Sequence, residues 1–345
     1  MDILKMKAAL LKAIREIKIE EKEIPKPKNG EVLIRVLYSL TCGTDLKAYE
    51  RGHPYINYPR IIGHEYVGEI IEKSSNVKNF EIGDIVAGAN SAPCMQCYYC
   101  KKGNYNLCEN LKDTLIGFTL DGSFAEYMII PKRIVELNLF KIKEKNYKKY
   151  AALEPLACVV HAWNLLNAKE DDEILIIGSG PIALLHAQLA LNFTKKVNLL
   201  GKHASRLKIA KMLGIKVYDY EEYKHEIIKL KEGEGYDIVI EAVGTIEAWN
   251  IAFELVRKGG TLIYFGGLKA GTQINLDAYK IHYGELKIFG SFHHDPSSVK
   301  KAFELIEKNK VNTEMLITSE RKIDEIEKAL LSMAKGEDMK VGIIF

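Results

Sequence analysis

Four cysteines crowd the stretch "CMQCYYCKKGNYNLC": Cys94, Cys97, Cys100 and Cys108. Thiols at such spacing serve a disulfide framework, an iron–sulfur cluster or a structural zinc site. A chain of 345 residues can bury its own cores and needs no disulfide framework. A ferredoxin-type cluster wants its fourth cysteine close behind the third and followed by proline, whereas Cys108 comes eight positions later and precedes Glu109. The remaining reading is a closed four-thiolate zinc site, which braces a loop and leaves no position for a substrate. A second set of ligating residue types is scattered: Cys42 in "SLTCGTDLKAY", His64 and Glu65 in "PRIIGHEYVGEI", Glu154 and Cys158 in "AALEPLACVVHAW". Cysteine, histidine and carboxylate together are the mixed ligands of a zinc site that keeps an open position. Spacing alone does not bring residues 42, 64 and 154 together, and a lone buried cysteine or histidine is more often simply packed.

A third constellation is "ILIIGSGPIA", with Gly178, Gly180 and Ala183 in a G-x-G-x-x-A pattern between an apolar strand and a helix. The first glycine allows a tight turn, the second lets the backbone approach a pyrophosphate, and the small third residue lets helix and strand pack closely. Pro181 and Ile182 at the helix start, and Val243 in "EAVG", are further expected cofactor contacts. NAD-binding versions carry an acid at the end of the second strand, about twenty residues past the glycines, to bond the ribose hydroxyls. Here that strand is "VNLLG", Gly201 takes the place of the acid, and no acidic residue occurs from 174 through 218. Lys202, His203 and Arg206 follow and can pair with a 2′-phosphate, so the pattern predicts NADP over NAD.

These residues need elements to hold them. From residue 6 to about 140 the chain alternates short β-like runs with turns, as in "EVLIRVLYS" and "YVGEIIEKS". The basic stretch "KIKEKNYKKY" reads as a solvated boundary, after which strand and helix alternate through "EILIIG", "KVNLLG", "YDIVIEAVG" and "GGTLIYFGG". That rhythm predicts a parallel sheet covered on both faces. The ends "SSVKKAFELIEKN" and "KIDEIEKALLSMAKG" read as amphipathic helices before the apolar run "VGIIF". A hydrophobic content of 47% with 28% charged residues is ordinary for a globular protein, and a net charge of +3 gives no footing for nucleic acid or a membrane surface. The N-terminal apolar run "AALL" is too short for a signal peptide, and thiols kept for metal fit a reducing cytoplasm.

The ordered set C-G-T-D, G-H-E, four-cysteine lobe, E-P-L-A-C and G-x-G-x-x-A resembles the zinc-dependent medium-chain dehydrogenases, within them the polyol/sorbitol and threonine dehydrogenase branch. The resemblance implies an α/β chain: a GroES-like, mostly-β catalytic domain over 1–148 with its structural zinc lobe at 94–108, a Rossmann domain with a doubly wound parallel sheet over 149–283, and a return to the catalytic domain over 284–345. It implies two zinc ions, the catalytic one held by Cys42, His64 and Glu154, with Glu65 as an alternating ligand, and Cys158 packed nearby. It implies oxidation of an alcohol or polyol to a ketone or aldehyde by hydride transfer to the nicotinamide, with Thr44 as first proton acceptor and Asp45 orienting the loop or a ligand. Relatives often carry a proton-relaying histidine where this chain has Lys47. Tyr49, Phe118 and Phe292 to His294 are candidate pocket walls, and a homodimer or homotetramer is expected. Two rival readings compete: a zinc-free quinone or enoyl reductase on the same fold, which would lack Cys42, the His64–Glu65 pair and the cysteine lobe, and a non-catalytic zinc module, which would not need a dinucleotide loop.

Overall fold

Near-continuous apolar runs and alternating ones build different sheets, and the chain contains both. The computed structural model describes residues 4–230 and 234–345. It forms two units, one of Met1–Cys158 with His294–Phe345 and one of Val159–His293. Both boundaries fall later than the sequence rhythm suggested. At the second, the strand Lys287–Gly290 still pairs in the sheet of the inserted unit.

In the inserted unit, every residue of Ile174–Ile177 and of Val197–Gly201 is buried, as parallel strands covered on both faces require. Among the described residues six parallel strands lie in the order Lys216–Asp219, Val197–Gly201, Ile174–Ile177, Tyr236–Glu241, Val256–Tyr264, Lys287–Gly290. The order reverses between Ile174–Ile177 and Tyr236–Glu241, and such a doubly wound sheet binds ligands outside the carboxyl ends of its strands at that point. The helix Pro181–Ala190 begins there, with Gly180 as its N-cap and Pro181 in its first turn, where the missing N–H costs nothing.

The larger unit is mostly antiparallel. Its central strand Val32–Leu40 pairs with Glu65–Lys73 on one side and with Tyr127–Ile130 and Lys340–Ile344 on the other. The register sets Leu40 opposite Glu65 and also opposite Gly342. Residues from the start, the first third and the end of the chain therefore meet at one strand terminus. Among the described residues no helix is long and apolar enough to cross a membrane.

The helix carrying the glycine loop is fastened from behind. His186, fully buried, accepts a hydrogen bond at Nδ1 from Trp163 Nε1 at 3.0 Å, and burial lowers its pKa to about 3. A folded-state pKa below the unfolded one gives stability that is present above about pH 6.5 and lost as pH falls toward the folded value. Relative to His186→Gln, the native protein should lose about 1.4 kcal/mol of unfolding free energy per pH unit below about 6.5. Urea unfolding of both proteins between about pH 7 and pH 5 measures this, and parallel curves would refute it.

Candidate active site

Cys42 caps the helix Gly43–Arg51: its Sγ accepts Thr44 N–H at 3.5 Å, while Asp45 Oδ2 accepts Cys42 N–H at 2.8 Å. The positive end of that helix thus faces the sulfur. Asp45, itself buried, also stands 3.2 Å from His64 Nδ1 through its other oxygen. Asp45 thus fixes the loop of Cys42 and stands against the Nδ1 side of the His64 ring, which leaves Nε2 as the nitrogen able to face a metal. Burial disfavours the charged imidazole of His64, but Asp45 and then Cys42 outweigh it and raise its pKa well above the ordinary value.

The ligand atoms of Cys42, His64 and Glu65 all lie within 4.8 Å of one another. Soft sulfur, imidazole and a carboxylate at this separation fit a tetrahedral zinc ion with one position left over. Glu65 is fully buried and bound by Lys340, whose Nζ donates to its two oxygens at 2.5 and 2.6 Å and to Thr41 O at 3.1 Å. Burial pushes the Glu65 carboxyl up and the ammonium draws it back, while burial works against the Lys340 charge and Glu65 outweighs it. Sequence reasoning missed Lys340. Its only signal was an ionisable residue opening the apolar run that ends the chain.

Glu154 is not in that trio. It sits in the first turn of Leu153–Asn164, accepts Cys158 Sγ–H at 3.6 Å, and has an oxygen within 4.8 Å of a ring nitrogen of His294. Burial raises the carboxyl of Glu154 and the thiol of Cys158. His294 is buried and its Nε2 lies 3.1 Å from Asn90 Oδ1, a partner the sequence did not single out. Phe118 sets its ring 5.3 Å from that of His64. Tyr49, expected as a wall, is instead core: it is buried and its hydroxyl donates to Glu327 at 2.6 Å. Lys47 is exposed.

In the cysteine lobe all four sulfurs also lie within 4.8 Å of one another. Tetrahedral zinc with bonds of about 2.3 Å spaces its sulfurs by about 3.8 Å, so the donor set fits. Cys94 N–H and Cys97 N–H donate to the sulfurs of Cys108 and Cys94 at 3.2 and 3.4 Å. Burial works against the Cys94 thiolate, yet Asn110 and the backbone of Gln96 and Cys97 bring its pKa down to about 6.

In the inserted unit a cavity of about 340 Å³ is lined by Gly178, Gly180, Gly201, Lys202, His203, Arg206 and Val243, seven of the expected cofactor residues. Pro181 and Ile182 do not line it and stand half-buried at the helix start. Gly178 has φ +123°, and a Cβ there would meet Val243 Cγ2 at 3.2 Å. Lys202 Nζ rests 4.2 Å from the centre of the Tyr220 ring and 3.5 Å from Glu221. Arg206 is half-buried, which lowers its pKa.

With this geometry described, known proteins give it a context. The family "Alcohol dehydrogenase GroES-like domain" matches residues 28–140, and "Zinc-binding dehydrogenase" matches 181–308. A sorbitol dehydrogenase of Halalkalibacterium halodurans is 35% identical over 94% of each chain. D-arabinitol dehydrogenase 1 of Uromyces fabae is 31% identical over 95% of this chain and 94% of its own. A protein of Sinorhizobium meliloti, described as a zinc-binding dehydrogenase and solved bound to NADP, superposes with a TM-score of 0.92 at 28% identity, covering 99% of this chain and all of that one.

The Glu65–Lys340 pair generates a prediction. Lys340→Met leaves a buried carboxylate without its cation and should cost about 3–5 kcal/mol, whereas Glu65→Gln with Lys340→Met should recover most of the loss. A double-mutant cycle by urea unfolding measures the coupling, and additive effects would count against the pair.

Proposed function

The chain belongs to the zinc-binding dehydrogenases of the medium-chain alcohol dehydrogenase family, and from that premise we propose that it oxidises polyhydric alcohols with NADP at the Cys42–His64–Glu65 cluster. It is an oxidoreductase acting on CH–OH groups, with zinc and a nicotinamide dinucleotide. The observation that carries the site assignment is the approach of those three ligand atoms within 4.8 Å of one another. A zinc ion held there supplies Lewis acidity toward an alcohol oxygen, and the dinucleotide supplies the hydride acceptor. The chain's own residues do the rest. The Thr44 hydroxyl, two residues after Cys42, would accept the alcohol's proton while passing its own on to solvent or to the ribose of the dinucleotide. Asp45 stands against Nδ1 of the His64 ring, and Lys340 holds Glu65 in place beside Cys42 and His64, where its carboxylate could serve as a ligand. Glu154, beside His294, is the alternative carboxylate ligand. The four cysteines hold a second, structural zinc. Six free thiols support a reducing cytoplasm, and a homodimer or homotetramer is the assembly this family reading favours.

Each chain should carry two zinc ions of unequal lability, because a closed four-thiolate site releases metal more slowly than a site with an open position. Mild chelation should remove about one zinc together with activity. Cys42→Ala should abolish turnover while dinucleotide binding persists. Active protein containing only the cysteine-lobe zinc would overturn the catalytic assignment.

The NADP preference rests on the basic rim of Lys202, His203 and Arg206 and on Gly201 in place of an acid, and the Sinorhizobium relative was solved with NADP. A second reading has one observation behind it: Glu247 lines the same cavity, and a carboxylate from that helix could bond the ribose of NAD. Kinetics with both cofactors decide, and a higher kcat/KM with NAD favours the Glu247 reading. A Cβ at Gly201 would stand 2.6 Å from Ser179 Cβ. Gly201→Asp should therefore shift preference toward NAD, with less loss of total activity when Ser179→Gly makes room.

A further inference from the structure

One imidazole packs on the aromatic ring that lies against a candidate metal ligand, without being a ligand itself. His53 follows the helix Gly43–Arg51, whose first turn carries Thr44 and Asp45, and it is half-buried. Its ring meets Phe118 edge-on with centroids 4.9 Å apart, and Phe118 in turn lies 5.3 Å from the His64 ring. Tyr55 packs on it edge-on at 5.5 Å and donates its backbone N–H to His53 Nδ1 at 3.2 Å. An accepting Nδ1 on a neutral ring puts the proton on Nε2. Burial lowers the pKa of His53, which favours its neutral form. Among the described residues nothing hydrogen-bonds to Nε2. The tautomer and the ring plane are thus fixed before any substrate arrives, and one N–H is left to give.

That donor matters for substrate choice. A polyol differs from a simple secondary alcohol in carrying hydroxyls beyond the carbon that is oxidised, and a site that bonds such a hydroxyl rejects analogues lacking it. Two polar residues of the preceding helix are committed or turned away: the Tyr49 hydroxyl is spent on Glu327 and Lys47 is exposed. We propose that His53 is a specificity residue whose Nε2–H bonds a second hydroxyl of the substrate, favouring polyhydric over monohydric alcohols. The proposal rests on the polyol reading above and names the group that would enforce it.

The test uses the zinc-loaded enzyme with NADP, and xylitol, sorbitol and 2-pentanol as substrates. His53→Phe keeps a ring against Phe118 and removes the donor, His53→Leu does so without the ring, and His53→Gln retains a donor. The apolar variants should lower kcat/KM on both polyols by about tenfold or more and leave 2-pentanol within about twofold, with cofactor KM and zinc content unchanged. His53→Gln should restore part of the loss. Equal losses on polyols and 2-pentanol, or polyol rates that ignore both apolar variants, overturn the assignment of His53 alone. A native enzyme that oxidises 2-pentanol but neither polyol overturns the polyol reading and this inference with it.

Discussion

The buried ion pair of Glu65 and Lys340 is the contact on which the candidate metal centre of the larger unit depends. Taking both charges out of water costs several kcal/mol per ion, and a well-packed apolar pair of similar volume would often be as stable or more so. Stability alone therefore gives little reason for it. What the pair does achieve is to hold a carboxylate, 0% exposed, against the sulfur and imidazole of Cys42 and His64. Two strands make this possible by flanking Val32–Leu40, so that Lys340 reaches across the end of the central strand to a partner 275 positions earlier. Without the last strand, the buried Glu65 carboxylate would lack its cation.

The candidate dinucleotide cavity of the inserted unit rests on a different electrostatic arrangement. Lys202 lies between the Tyr220 ring and Glu221, and Arg206 sits half-buried with its charge disfavoured by desolvation. An anion entering such a rim relieves that desolvation and gains charge-assisted hydrogen bonds, whereas an acid at position 201 would have repelled it. The glycine at 201 has a steric reason as well, since Ser179 occupies the space where its Cβ would lie and donates its hydroxyl to Lys202 O. Charge and packing thus favour the same residue by independent routes.

What could be read in the sequence was local, and what could not was distant. The cysteine lobe, the glycine loop and the basic residues after Gly201 are each set by neighbours within a few positions, and the structure brings each group together. The β-rich start and the strand–helix rhythm that follows were legible because burial on one face or two leaves different apolar patterns. Lys340 was invisible because its partner is fixed by register between strands far apart in sequence. Tyr49 was misread for the same reason, since only the docked helix Ile326–Ala334, bearing Glu327, turns an apparent pocket aromatic into core. The choice between Glu65 and Glu154 is a matter of a few ångströms, which spacing in sequence cannot convey.

The helix Gly43–Arg51 shows how such a centre can separate chemistry from choice of substrate. Its first turn presents Thr44 and Asp45, and its cap presents Cys42, so the proposed ligand, the proposed proton acceptor and the carboxylate beside His64 are placed by helix geometry and by hydrogen bonds among Cys42, Thr44 and Asp45. Nine residues carry the chain about 13 Å along the axis, away from the sulfur. It then turns at Gly52 and leans His53 against Phe118, back toward the His64 ring. Among the described residues, no hydrogen bond links His53 to Cys42, Asp45 or His64. If His53 bonds substrate as proposed, a change at 53 would alter recognition while Cys42 and His64 keep the contacts made by Asp45. The near end, where Asp45 serves Cys42 and His64 together, has no such freedom.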